Sequence, residues 1–314
     1  MCNYCEKMNI AKALDFAIRD YDNDYSCGYS INGREYWNYM SNDSWKEFMR
    51  EMLQEHKDQF NNAGGGELRE KNSRWGWMPP KMASFGSSSR IRYNLSKDTP
   101  GFVFEKQLPT YVGHPANLDS YLLHNNTAFF VEAKCREIYG SHAGLNISNS
   151  YRDVYDFINQ ENPSFDFESK AGKDQDHFKC TFSYGEKDIK HFDLKQLICH
   201  FLGITADLIE NKHKFNNIKF IYLIFNPEKN TDFSNSAIES FEKKLKEEYE
   251  NTISEVKEID IIQLFYTIME FQCKKLNHPV VKCNFDFRLM DQEEYKNLPY
   301  RDFLPNTTSQ LTSL

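Results

Sequence analysis

Three ionisable residues sit inside two short apolar runs: Asp119 in "NLDSYLL" (117–123), and Glu132 and Lys134 in "AFFVEAK" (128–134). A buried charge costs several kcal/mol unless it is paired or bound to a metal, so the chain has a use for them. Side chains in a strand alternate faces, which puts Glu132 and Lys134 on one side and Val131, Ala133 and Cys135 on the other. If the two runs pair as a hairpin, Asp119 comes next to Glu132 across the ladder. Two carboxylates that close repel one another and shift toward protonation unless a cation sits between them. A hard divalent cation, Mg2+ or Mn2+ in its place, favours such oxygen ligands and takes only one or two carboxylates. That is the equipment of phosphodiester hydrolysis, in which the metal activates a water and stabilises the leaving oxygen. Lys134 would position or deprotonate the water, or offset charge on the phosphorane.

The elements that must hold these residues follow from periodicity. Helical spacing appears over 6–21 and again over 44–60, where Ser44 and Glu47 match a capping box and Trp45, Phe48, Met49, Met52 and Leu53 make one stripe. "NNAGGG" (61–66) ends that helix, and "HNNT" (124–127) joins the two apolar runs as a hairpin turn. Residues 141–190 are polar and weakly periodic and are expected as loops and short helices. Residues 193–211 return to helical spacing, and "IKFIYLIFNP" (218–227) reads as a strand buried on both faces. An amphipathic helix over 236–251, a strand near 253–259 and a helix near 260–273 complete the expected order. The whole predicts an α/β (α+β) domain with a mixed central sheet flanked by helices.

Composition narrows the class. The chain has 314 residues, a net charge of −8 and no run near the roughly 20 apolar residues that span a bilayer. The start lacks the pattern of a secretory leader, which predicts a cytoplasmic protein with reduced thiols among its eight cysteines. Cys2 and Cys5 have the spacing of half a zinc site, with no second half to complete it. The acidic balance argues against a protein that coats nucleic acid. From Arg69 to Lys97, however, seven bases face one acid, a local +6, and Arg74, Lys81, Arg90 and Arg92 are the candidate phosphate contacts. His114, His124 and His142 have no metal-site context and read as turn residues, and neither a serine-hydrolase elbow nor a complete phosphate-binding loop is present.

A hydrophobic strand with Asp, then twelve residues, then Glu-Ala-Lys ending a second strand resembles the PD-(D/E)XK nuclease superfamily. The order "SSSRIRYNL", "FVFEKQL", "ANLDSYLL", "FFVEAKCREIYG", "KQLICHFLG", "IKFIYLIFNP" is similar to a branch of type II restriction endonucleases, over about residues 83–265. Leu118 stands where many members place Pro. The resemblance implies a restriction-endonuclease-like core over 81–300, with Asp119 and Glu132 as metal ligands, Lys134 as catalytic partner, Glu105 as the upstream acidic ligand and Gln196 as the polar residue on the following helix. It also implies a Mg2+-dependent enzyme that cuts double-stranded DNA to leave a 5′ phosphate, with a DNA methyltransferase as genetic partner. Cutting both strands is most simply done by a two-fold homodimer. Residues 1–80 are expected as a helical recognition or dimerisation region, 141–190 as a recognition insertion and 301–314 as a tail. Two other readings stay open: a structure- or end-specific repair or recombination nuclease, and a noncatalytic DNA-binding module on the same scaffold. The intact Asp, Glu and Lys set weighs against the second.

Overall fold

A computed structural model gives the fold, describing residues 25–298 apart from 64–65, 75, 136, 140–144, 173–175, 212–213 and 227–235. The helix expected over 6–21, Cys2 and Cys5, His142, Pro227 and the tail from 301 lie outside the described residues.

In chain order, a ribbon of β1 (Cys27–Ile31) and β2 (Arg34–Met40) leads into α1 (Asn42–Glu51) and α2 (Gln54–Asn62). A short ribbon, β3 (Lys71–Ser73) and β4 (Gly76–Met78), precedes α3 (Ser88–Ser96). The single helix expected over 44–60 is thus two. Met52 adopts an extended conformation and turns into the core, 2 % exposed, leaving Leu53 outside. The N-cap is Ser41 rather than Ser44: its hydroxyl accepts the Ser44 N–H at 3.2 Å, while Glu47 pairs with Arg50 on the surface. The region before residue 80 therefore contains two strand ribbons as well as helices.

Then come the strands of the central sheet. β5 (Val103–Leu108), β6 (Ala116–His124) and β7 (Thr127–Lys134) pair antiparallel. The expected hairpin is present and turns on two residues, Asn125 and Asn126, both at positive φ as a tight hairpin requires and asparagine tolerates. Residues 145–189 contain β8 (Leu145–Ser148), α4 (Arg152–Glu161), β9 (Phe165–Ala171), β10 (His177–Tyr184) and β11 (Lys187–Ile189). The four strands form an antiparallel sheet where loops and short helices were expected. Phe165 and Phe167, and Phe178, Cys180 and Phe182, recur at every second position and are buried, while polar residues on the open face make the stretch look weakly patterned.

α5 (Leu194–Asn211) then crosses over to β12 (Asn217–Ile224), which runs parallel to β7 and is buried from Phe220 onward. α6 (Ser236–Glu258) replaces the strand expected near 253–259, because Leu245, Thr252 and Val256 continue a buried helical stripe. After α7 (Ile261–Lys275), the edge strand comes from "NFDFRLM", β13 (Asn284–Met290), parallel to β12; the five-residue α8 (Gln292–Lys296) follows. The central sheet is therefore mixed, in the order β13-β12-β7-β6-β5. One face packs against α5, α7 and the small sheet through residues such as Phe130, Phe220, Leu197 and Phe201. The other packs against α1, α2 and α3, with Phe48, Phe60 and Tyr93 meeting Phe104, Phe129 and Val131. No helix among the described residues is long and apolar enough to cross a membrane.

Candidate active site

Strand register places three carboxylates in one row. Phe104 pairs with Ser120 and Lys106 with Leu118, so Glu105 and Asp119 face each other between them; Ser120 pairs with Val131, which sets Asp119 beside Glu132. At this row β5 and β6 both change hand. Phe104 and Leu108, four apart, pack on opposite faces of the sheet, whereas Leu118 and Tyr121, three apart, pack on the same one. An unbroken strand does neither. The break is visible in the backbone: Glu105 has φ +52°, a left-handed conformation costing on the order of 1–3 kcal/mol outside glycine. The Asp119 carboxylate takes the Ala133 N–H at 2.6 Å, a donor that the ladder would otherwise use.

Glu132 and Lys134 project from β7 toward α5 and are almost fully buried. Lys134 Nζ donates to Glu132 Oε1 at 2.6 Å and to Gln196 Oε1, while Gln196 Nε2 donates to Glu132 Oε1 at 2.8 Å. The three expected residues thus form one closed knot. Sequence reasoning missed a fourth member. His200, one helical turn past Gln196 and 2 % exposed, brings Nε2 to 3.1 Å from Glu132 Oε2, at an angle short of a hydrogen bond. The i, i+4 spacing from Gln196 was the available signal.

Electrostatics divide the acids. Burial alone would raise the Glu132 carboxyl, but the Lys134 ammonium and the His200 imidazole outweigh it and hold it at about 2. Burial would lower Lys134, yet the Glu132 carboxylate holds the ammonium well above its ordinary range. Without a bound cation, Lys134 therefore carries a positive charge, which suits positioning and charge stabilisation. Burial, then the charges of Glu132 and Glu105, push Asp119 well up. Glu105 rises to about 7 through burial and through the charges of Glu67 and Glu132, even though Ser89 donates to it at 3.2 Å.

Among the described residues no group of three or more His, Cys, Asp and Glu side chains is gathered as a ready metal site. The donor set nonetheless fits a cation that keeps several waters and needs only one or two carboxylates. Asp119 and Glu105 are carboxyls whose ionisation neighbouring acids oppose, and Glu132 Oε2 is buried with no hydrogen bond. A divalent ion at this row would relieve both.

The expected phosphate contacts separate into two kinds. Arg90 and Arg92, the favoured pair, lie in α3 and are 0 % exposed. Arg90 donates to the Phe85 carbonyl and lies over its ring, and Arg92 is held between the rings of Phe102 and Tyr295. Both belong to the core that supports β5, and no phosphate reaches them. Arg74 is exposed, and Lys81 is exposed along its stem while its amine pairs with buried Glu67 at 2.8 Å.

Beside Gln196 lies a cavity of about 440 Å³ between the start of α5 and the small sheet. His114, expected as a turn residue, lines it. Comparison with family models, curated proteins and solved structures finds no match for the chain.

Proposed function

We propose that this protein is a metal-dependent phosphodiesterase. More narrowly, it is a Mg2+-dependent site-specific endonuclease of double-stranded DNA, of the type II restriction kind, built on a restriction-endonuclease-like core. The observation that carries this is the row of Glu105, Asp119 and Glu132 across three adjacent strands, with Lys134 on the same face two residues after Glu132. The order of α3, three antiparallel strands, α5 and a parallel strand agrees with the resemblance in the sequence.

Asp119 and Glu132, with Glu105 beside them, would hold the ion, which when bound polarises the phosphoryl oxygen and lowers the pKa of a water. Lys134 would offset charge on the phosphoryl group and orient the water through its one remaining N–H donor. Gln196 hydrogen-bonds both the Glu132 carboxylate and the Lys134 amine and so fixes one relative to the other. His200 backs the second carboxylate oxygen.

The test is digestion of plasmid DNA with Mg2+ and with EDTA. Discrete fragments that need Mg2+ support a site-specific endonuclease; a smear indicates a structure- or end-dependent nuclease; intact DNA rejects catalysis. Asp119→Asn is the control to use, because the amide still accepts the Ala133 N–H while the charge is lost, and it should abolish cutting in a folded protein.

A further inference from the structure

The cavity beside Gln196 has no role in the chemistry described above, and its make-up is specific. Its volume, about 440 Å³, lies in the range of small-molecule sites. Tyr151, Tyr155 and Ile147 supply flat, apolar walls; Asn146 and Lys195 bring donors, and Asp193 an acceptor. The internal contacts keep the walls in place: Tyr151 Oη donates to the His114 carbonyl at 3.2 Å, Lys195 Nζ to the Asn146 carbonyl at 3.2 Å, and Asp193 accepts the Gln196 N–H at 3.0 Å. The lining holds one lysine, one aspartate and two histidines, Lys195, Asp193, His114 and His177, so no cluster of fixed cations marks it for an isolated phosphate. A planar ring with donor and acceptor edges is what it suits.

Position adds the second half of the argument. Gln196 is shared: its side chain contacts Glu132 and Lys134, and the residue also lines the cavity. Only the Gln196 side chain therefore links the carboxylate row to the cavity, which makes a base neighbouring a phosphate at that row the candidate occupant. The opposite wall is β8 and β10 of the inserted sheet.

We propose that this cavity receives one nucleobase, swung out of the DNA strand that is cut, and that the inserted sheet exists in part to form its outer wall. This rests on the nuclease reading for the identity of the strand. Extrusion costs a few kcal/mol of stacking and pairing, which the ring contacts and edge hydrogen bonds offset.

The experiment uses the full chain, ligand-detected NMR, the four deoxynucleoside 5′-monophosphates, and deoxyribose 5-phosphate as the baseless control. At least one nucleotide should show saturation transfer to its base protons, with none on the baseless sugar. Asn146→Trp, at an exposed rim position, should remove that signal with an unchanged circular dichroism spectrum, and should slow plasmid cutting at least tenfold while binding of non-specific duplex is unaltered. Equal signals from the baseless control, or base signals that survive Asn146→Trp in folded protein, overturn the proposal. The two readings fail separately. Base binding without Mg2+-dependent cutting rejects the nuclease and leaves a nucleotide site; cutting without base binding rejects the cavity's role alone.

Discussion

At the scale of residues, the site consists of charges that stabilise one another unequally. Glu132 and Lys134 are each at least 95 % buried along their side chains and form an ion pair at 2.6 Å. Removing one partner leaves the other charge uncompensated, which costs about 3–5 kcal/mol. Lys134→Ala is accordingly expected to unfold at markedly lower denaturant than the wild type, so its loss of cutting reports stability as well as chemistry. Adding Glu132→Gln to Lys134→Met should recover part of that loss in a double-mutant cycle, and simple additivity would refute the coupling. Glu105 acts in the opposite sense. Its carboxyl is raised from 4.5 to about 7 in the fold, so its stabilising contribution is complete below pH 4.5 and is lost as pH rises through 7. In EDTA the melting temperature should fall across that window, and Glu105→Gln should flatten the fall. Glu132, held near 2, contributes in a separate window, losing its stabilisation only as pH drops from 4.5 toward 2. For His200, loss of the ring behind Glu132 should weaken metal binding about 10–100-fold, the usual effect of an outer partner. Calorimetric titration of His200→Leu with Mn2+ measures this, and an unchanged affinity would remove His200 from the site.

At the scale of elements, the site depends on how closely α5 lies on β5 and β6. Gly203 makes the approach possible: a Cβ there would stand 2.8 Å from Ala116 Cβ and 2.9 Å from Leu108 Cβ. Gly203→Val should cost about 1–3 kcal/mol by overpacking. It should also lower cutting by lifting Gln196 and His200 off Glu132, a joint loss seen by pairing thermal melts with digestion rates. The paired change of hand in β5 and β6 was not legible beforehand. A strand pattern of strict alternation assigns Leu118 and Asp119 to opposite faces, and only the positive φ at Glu105, together with the Asp119 bond to Ala133, reveals how the row forms. The hairpin, α5 and β12 were legible, because their periodicity or continuous apolar character carries the element without outside help. The 253–259 stretch was not: β-branched Thr252, Ile253 and Val256 favour a strand locally, and the stripe they extend overrides that preference in α6.

At the scale of the whole molecule, the acidic balance bears on the proposed DNA substrate. Of the seven bases from Arg69 to Lys97, Arg90 and Arg92 are spent on the core, and Arg69, Lys71, Arg74 and Lys81 are on the surface. With a net charge of −8 and a cluster of carboxylates at the centre of the site, DNA binding should be weak in EDTA, strengthen with Ca2+ and decline steeply with salt. Sedimentation in the presence of a short duplex would show whether two copies assemble on it, as the homodimer expectation requires; one copy per duplex would reject that expectation.

The amino-acid sequence by itself determined which side chains carry the proposed chemistry, since strand-embedded Asp119, Glu132 and Lys134 and helical Gln196 are anomalies of local pattern that need no partner to be noticed. Only the tertiary structure decided that Glu105 and Asp119 fall in one row, that His200 joins them and that Arg90 and Arg92 do not touch solvent. Alternation and helical spacing fix a face relative to an element's own axis, whereas burial, parity breaks and partners arise when elements distant in the chain are pressed together.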